Sequence, residues 1–428
     1  MTAATAPSEP AAAHAVAAEV GAWLAARWDP DLSLVAWRGL LADSGWGAPT
    51  WPPQWCGRGL PAAMAEVVER ELDRVGAVGP PQGSGMLLAA PTILQHGSDD
   101  LKARLLRPVV TGEHTWCQLF SEPGSGSDLA GLTTRAERDG DEWVVNGQKV
   151  WTTSAHHARF GMLLARTDWD APKHRGITYF AIPMDQPGVE VRPLRQMNGH
   201  ASFNEVFLTD ARVATANVIG GVGDGWTVAH TTLAHERRLF SGLRGRPASW
   251  GSGRAVREAE LEIAASLEPY KWYPQRAGRV DLVADRAKAT GRNDDPVVRQ
   301  EVTRLLAMAR TAQWTAQRAR AVRALGRPPG PEGSIGKLSA SAIARAAARA
   351  HTLIAGARGM LTGADGPLDG IIAEVLVSVP AVSIAGGTDE IQRDIIGERV
   401  LGLPRGARPD ADVPFRDVPR NATAPRGG

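Results

Sequence analysis

The sequence predicts an α+β multidomain chain with an N-terminal α-helical domain, a central β domain and a C-terminal helical domain. Three observations carry this reading. Apolar residues recur at helical spacing between about Ala15 and Gly112; from Thr115 to about Asp210 the texture becomes short β-rich runs separated by Gly, Asn, Asp and Pro; then Ala- and Arg-rich helical sequence returns. At 428 residues the chain exceeds one compact core, so two or three domains sharing interfaces are expected.

Residues 1–14 have no basic start and no unbroken apolar run, and read as a disordered lead rather than a signal. The helical domain spans 15–114, with "VAWRGLLADSGWGAPTWPPQW" and "AAMAEVVERELDRVGA" giving helices broken by Trp-Pro-Gly loops. The β domain, 115–220, holds "EWVVNGQKVWTT", "FGMLLART", "GITYFAIPM", "VEVRPL" and "SFNEVFL", and the Asn146-Gly147 pair carries a hairpin signal. The C-terminal helical domain covers 221–405 and the remaining 406–428 reads as a disordered tail. Near its end Thr388 caps a helix opened by Asp389 and Glu390, with Ile391, Ile395, Ile396 and Val400 at helical spacing, and Gly402 and Pro404 stop it.

Lys plus Arg number 48 and Asp plus Glu 46, a formal charge of +2, so no nucleic-acid surface is implied. The apolar run "IIAEVLVSVPAV" contains Glu374 and Pro380 and is too short and broken for membrane insertion. Cys56 and Cys117 are the only cysteines, too few for a disulfide framework or a Cys-built metal site, and a cytoplasmic location is the natural expectation. No metal is expected: the adjacent His156 and His157 would face opposite ways on a strand, and no carboxylate stands beside them at ligand spacing.

Several stretches could carry chemistry. "CQLFSEPGSGSDLAG", residues 117–131, is a loop rich in glycine, hydroxyl and carboxyl groups, but it lacks the Lys of a phosphate-binding P-loop and is not G-x-G-x-x-G. In "KVWTTSAHHA" Trp151 could stack on a flat ring or pack in a core, and Thr153 could donate or accept. Glu236, on a helix among Leu233, Leu239 and Phe240 and next to Arg237, is either a partly desolvated carboxylate or a structural ion-pair partner. The Gly386-Gly387 pair before Thr388 is either an ordinary loop or bare backbone that lets a ligand approach helix N–H groups.

Taken together, "WCQLFSEPGSGSDLAGL", "VVNGQKVWTTSAHHA", "FNEVFLTDARV", "GDGWTVAHTTLAHER" and "IAGGTDEIQRDIIGERVLGLPR" occur in the order found in the acyl-CoA dehydrogenases, and the chain resembles that family from roughly Val35 to Arg405. The resemblance implies a β-barrel-like central domain, a C-terminal helical bundle and an FAD cofactor between them. Residue by residue it places Gln118, Leu119, Phe120, Ser121 and Ser127 in the loop over the flavin, with Ser127 also near the CoA arm of the substrate. It also implies Trp151 stacked on the ring, Thr152 beside it, and Thr153 bonded to flavin N5. Gly387, Thr388 and Glu390 would hold FAD, and the Gly386 N–H would bind the thioester oxygen.

The family's chemistry needs a carboxylate to take the α-proton of an acyl-CoA while hydride leaves the β-carbon. Many members carry that base at the position of Gly386, which this chain cannot. A minority, including isovaleryl-CoA and long-chain enzymes, place a Glu on a helix immediately before an Arg, so the resemblance implies Glu236 as catalytic base and Arg237 near the CoA arm. Two flavin-binding elements that a neighbouring subunit usually supplies are altered, as "DRAKATGRNDDPVVRQ" and "ARGMLTGADG", with Gln300 the surviving match. The expected assembly is a homotetramer, or a heterotetramer with a second acyl-CoA dehydrogenase-like subunit, passing electrons to an electron-transfer flavoprotein. The rivals are a flavin oxidase or monooxygenase on the same fold, and a structural subunit that completes a partner's site.

Overall fold

A computed structural model describes residues 9–242, 245–324, 332–406 and 410–419. The chain forms two compact units, one built from residues 1–194, 202–269 and 410–428, the other from 195–201 and 270–409.

The first unit opens with five helices, α1 (Glu9–Arg27), α2 (Leu34–Ser44), α3 (Ala62–Val75), α4 (Ala90–His96) and α5 (Asp99–Thr111). Their ends are written locally. Ser33 and Ser98 accept from the N–H groups of Ala36 and Leu101, and Gly45, Gly76 and Gly112 leave α2, α3 and α5 in the left-handed conformation. Helix α1 begins at Glu9, inside the stretch expected to be a lead, because the Ala-rich segment that follows has high intrinsic helix propensity and buries Val20 and Leu24 against Trp37, Leu41 and Leu72. Residues 1–8 lie outside the described residues.

The β domain is a seven-stranded curled sheet, a half-barrel made of β1 (Trp116–Leu119), β2 (Arg135–Asp139), β3 (Glu142–Thr153), β4 (Phe160–Arg166), β5 (Ile177–Pro183), β6 (Val189–Leu194) and β7 (Phe203–Ala214). Strand β4 pairs with β5 antiparallel and with β1 and β2 parallel; β2, β3, β7 and β6 continue the sheet antiparallel. Strands β4 and β5 are almost wholly buried, which explains their unbroken apolar sequences. Asn146-Gly147 does not form the expected hairpin. It lies inside β3, where a register shift against β7 bends the strand, and a Cβ on Gly147 would stand 2.4 Å from Thr134 Oγ1. The turn between β2 and β3 uses Gly140 at φ 61° instead.

Two further helices belong to this unit, α6 (Gly225–Gly242) and α7 (Arg254–Leu267), so the expected C-terminal domain starting at 221 is divided. The cause is packing. Val256 and Ala259 of α7 join the core of the first helices, Glu258 accepts from Leu34 N–H at 2.7 Å, and Glu262 receives a bidentate pair from the buried Arg38 at 2.6 and 2.9 Å. Part of the expected tail also packs here. Phe415 is buried with the Arg166 guanidinium 3.3 Å over its ring, and Arg166 itself donates to the carbonyls of Leu132, Lys173 and Ala130. Residues 407–409 and 420–428 lie outside the described residues.

The second unit holds α8 (Tyr273–Arg276), α9 (Val280–Ala289), α10 (Pro296–Ala324), α11 (Glu332–Ala355), α12 (Ile371–Ser378) and α13 (Asp389–Arg399). Val283, Leu305, Ala347, Ala350 and Ile354 form the core joining α9, α10 and α11. Residues 195–201 attach to this unit through His200 to Glu374 at 2.8 Å and Asn198 to Ser378 at 3.2 Å. Among the described residues no helix is long and apolar enough to cross a membrane, and no group of three or more His, Cys, Asp or Glu side chains could hold a metal ion.

Truncating Phe415 to Ala should cost about 3–5 kcal/mol, the usual range for a buried aromatic. Urea unfolding of the variant should show that loss, and a change under about 1 kcal/mol would mean the tail contributes nothing to the first unit.

Candidate active site

In the first unit the site is built around the loop leaving β1. The peptide groups of Glu122 and Ser125 exchange two hydrogen bonds of 3.0 Å, closing a tight turn over Pro123-Gly124. A Cβ on Gly124 or Gly126 would meet no heavy atom within 4 Å, so the backbone here is bare and open. Ser127 is exposed, Leu119 and Phe120 are buried, and the Ser121 carbonyl accepts from Val150 N–H at 2.9 Å, stitching the loop to the end of β3.

A buried ion pair fixes this loop. Lys149 Nζ lies 2.9 Å from Glu122 Oε1 and donates to the Phe120 carbonyl at 3.0 Å, while Glu122 accepts from Thr133 N–H, Thr133 Oγ1 and Thr134 N–H at 2.7, 2.9 and 2.8 Å. Burial alone would raise the Glu122 carboxyl. The Lys149 charge and the hydrogen bonds from Thr134, Lys149 and Thr133 outweigh it and hold the group at about 2. Neither residue stood out in the sequence. The available signal was a charged pair flanking two motifs, a Lys on a strand with apolar alternation and a Glu before Pro-Gly.

Past Lys149 the pairing of β3 with β7 slips again before Thr152. Trp151 sits in that bulge at φ 61°, a conformation rare for a bulky residue; the residue is 55% exposed, with its ring edge-on to Phe203 at 5.7 Å. It is therefore a presented aromatic face and not a core residue. Thr152 is buried, and its carbonyl accepts from Asn204 Nδ2 at 2.9 Å; Thr153 is half-buried at the strand end. His156 and His157 lie on a short 3₁₀ turn with ring centroids 4.0 Å apart, not on opposite faces of a strand as expected, because β3 ends at Thr153.

Glu236 stands on α6, four residues beyond Thr232. That threonine is pinned between Tyr179 Oη at 3.0 Å and Thr92 Oγ1 at 2.9 Å, and Val228, Ala229 and Leu233 pack into the same core as Trp116 and Phe120. The half-buried Glu236 carboxylate accepts from Gln118 Nε2 at 3.0 Å through Oε2. The structure thus joins two of the sequence-expected residues, Gln118 and Glu236, directly. Arg237 follows on the helix, and its side chain lies outside the described residues.

The remaining expected residues lie in the second unit. Thr388 caps α13, accepting from Ile391 N–H at 3.3 Å, and Gly386 and Gly387 precede it at φ 70° and 84°. Gln392 Nε2 donates to their carbonyls at 3.3 and 3.4 Å, and a Cβ on Gly387 would stand 2.6 Å from that nitrogen. Glu390 is exposed, and Gln300 is exposed on α10.

Three domain models match this chain, those of the acyl-CoA dehydrogenase N-terminal domain over residues 10–113, middle domain over 117–211 and C-terminal domain over 278–401. The chain belongs to the acyl-CoA dehydrogenase family, a family of FAD-binding oxidoreductases. It is 37% identical over 379 residues to acyl-CoA dehydrogenase IpdE1 of Mycobacterium tuberculosis, covering 87% of this chain and 89% of that protein. It is also 37% identical to acyl-CoA dehydrogenase FadE34 of the same organism over 85% of this chain, and the match spans about half (46%) of that longer protein. Among solved structures it is similar to the Tcur3481-Tcur3483 steroid acyl-CoA dehydrogenase, with a TM-score of 0.62, 25% identity, and 93% and 99% of the two chains covered.

Replacing Lys149 by Met leaves the Glu122 carboxylate buried without its counter-charge and should destabilise the fold by about 3–5 kcal/mol, read by urea unfolding at neutral pH. The depressed carboxyl fixes the pH dependence. Its contribution is complete above the ordinary value of 4.5 and declines as pH falls towards about 2, so the difference between wild type and Lys149→Met should shrink across that window.

Proposed function

We propose that this chain catalyses the FAD-dependent α,β-dehydrogenation of an acyl-CoA thioester to a trans-2-enoyl-CoA, with Glu236 as the base. The observation that carries the reading is the Glu236 carboxylate. It is fixed on α6 and hydrogen-bonded to the first residue of the loop expected over the flavin. Its position matches the helix-borne base of the isovaleryl-CoA and long-chain enzymes.

The residues present fit the cofactor. Trp151 offers an exposed ring for stacking, Thr153 a hydroxyl beside it, and within the loop from Gln118 to Ser127 the bare backbone at Gly124 and Gly126 can approach a ring edge and pyrophosphate. Gly387, Thr388 and Glu390 would supply the capped helix start of α13, Gln300 a further polar contact, and Arg237 a cation for the CoA arm. When bound, FAD supplies the hydride acceptor. This chain's own part is to bind the thioester, to take its α-proton onto the Glu236 carboxylate and to donate from the Gly386 N–H to the carbonyl oxygen, a contact worth about 3 kcal/mol of transition-state stabilisation.

The acyl group we favour is a bulky, steroid-like one, because the similar solved structure is named a steroid enzyme. That name also joins two components, and with the altered flavin-binding elements around 285–300 and 357–366 it supports a heterotetramer over a homotetramer, this chain being the base-bearing member. The electron acceptor is an electron-transfer flavoprotein and the location cytoplasmic. An oxidase or monooxygenase would consume oxygen with substrate; a structural subunit would stay colourless in every assembly.

Glu236→Gln should keep flavin and acyl-CoA binding but lose most reductive activity in an anaerobic acyl-CoA panel scored by flavin bleaching, and rapid bleaching by this variant would remove Glu236 from the base role. Moving the base, Glu236→Gly with Gly386→Glu, should recover only part of the rate. A side chain at Gly386 meets no neighbour within 4 Å, but φ 70° adds about 1–2 kcal/mol of strain for any residue with a Cβ. Flavin per chain should be low for the protein purified alone and rise on co-expression with a homologous neighbour-encoded subunit; full occupancy and turnover in the lone protein would reject the heteromer.

A further inference from the structure

Strand β1 alternates cleanly. Cys117 and Leu119 point into the core on one face of the sheet, while Trp116, Gln118 and Phe120 share the other, where Trp116 and Phe120 pack with Val228, Ala229 and Leu233 of α6. Gln118 is thus an amide placed on a face that its neighbours make apolar. Its Nε2 reaches one target there, Glu236 Oε2 at 3.0 Å.

Both ends of this bond are held by structure that the bond does not itself create. On the strand side, Gln118 is in register with Met162 of the buried β4, and two residues on the Phe120 carbonyl accepts from the buried Lys149. On the helix side, Thr232 fixes the rotation of α6 one turn before Glu236 through Tyr179 and Thr92, and His96 Nε2 is within 2.8 Å of Thr231 Oγ1 on the neighbouring position. A closely approached backbone pins the start of the same helix: a Cβ on Gly225 would stand 2.6 Å from the Thr178 carbonyl carbon.

We infer that Gln118 is the positioning residue of the base, its amide N–H fixing the plane and rotamer of the Glu236 carboxylate so that the carboxylate meets the substrate α-carbon in one orientation. This rests on Glu236 being the base. A Glu side chain has three rotatable bonds, and a donor fixed on β1 restricts which orientations its carboxylate samples. The amide does this without adding a charge, whereas a Lys or Arg in its place would oppose protonation. The proton still passes from the α-carbon to the carboxylate, and Gln118 exchanges none itself.

The test compares flavin-loaded wild type with Gln118→Met, which keeps length but has no donor, and Gln118→Glu, which has the same shape but offers a second carboxylate. Anaerobic flavin reduction is followed with an acyl-CoA and with its α-deuterated form. The flavin-loaded chains of Gln118→Met should reduce flavin about 10- to 100-fold more slowly than loaded wild type, with a larger α-deuterium isotope effect, because proton removal becomes the slower step. Gln118→Glu should be slower again. A merely structural role would lower the loaded fraction and leave the isotope effect of the loaded chains unchanged. Wild-type rate and isotope effect in a loaded Gln118→Met variant overturn the inference; should that variant fail to fold, the same result in Gln118→Glu overturns it. Glu236→Gln run alongside separates the two claims: its full activity defeats the base, whereas its inactivity beside an unimpaired Gln118→Met defeats only the positioning role.

Discussion

The site in the first unit depends on one buried ammonium. Taking Lys149 and Glu122 out of water costs several kcal/mol per ion, and their attraction offsets this only if the remaining lone pairs and protons are satisfied. Here they are. Lys149 also donates to Phe120 and Glu122 collects three further bonds from Thr133 and Thr134, so the pair ties together the loop after β1, the approach to β2 and the end of β3. Phe120 is two residues from Gln118, and Lys149 is two residues from Trp151. One charge pair therefore sets the strand end that meets Glu236 and the bulge that presents the indole.

A second constraint sets the helix opposite. Two threonines and a tyrosine form a buried hydroxyl chain, Thr92 to Thr232 to Tyr179, across α4, α6 and β5. Hydroxyls in an apolar interior bond well to each other because the alternative is an unsatisfied group. The chain fixes the rotation of α6, and helical periodicity then carries that orientation one turn on to Glu236.

Much of this was legible in the sequence. The order of helices, strands and helices follows from periodicity, the cap of α13 from Thr388, and the family from five motifs in order. What was not legible depends on long-range packing. Asn146-Gly147 has the local chemistry of a turn, but β7 on one side and Thr134 against Gly147 keep it in a strand. The Ala-rich start of α1 and the Phe415 segment look unstructured until their partners, Trp37 and Arg166, are placed. Glu122 and Lys149 are 27 residues apart, and nothing in either neighbourhood announces that they meet.

The vacancy at Gly386 also has a physical reading. Where the family resemblance implies a base in many members, this chain has two consecutive left-handed glycines whose carbonyls are held by Gln392, followed by the cap Thr388 and by Asp389, which is buried and clamped by Arg345 at 2.8 Å and Lys337 at 3.6 Å from α11. A Glu at such a backbone angle would be strained, whereas glycine adopts it freely. The Glu236 carboxylate receives Gln118 within the first unit, on a helix whose rotation the Thr232 hydroxyl chain fixes. The glycine turn is fixed within the second unit by Gln392. Each is thus set by hydrogen bonds inside its own unit, and the strain that a Cβ would meet at Gly386 does not arise at a helical position such as Glu236.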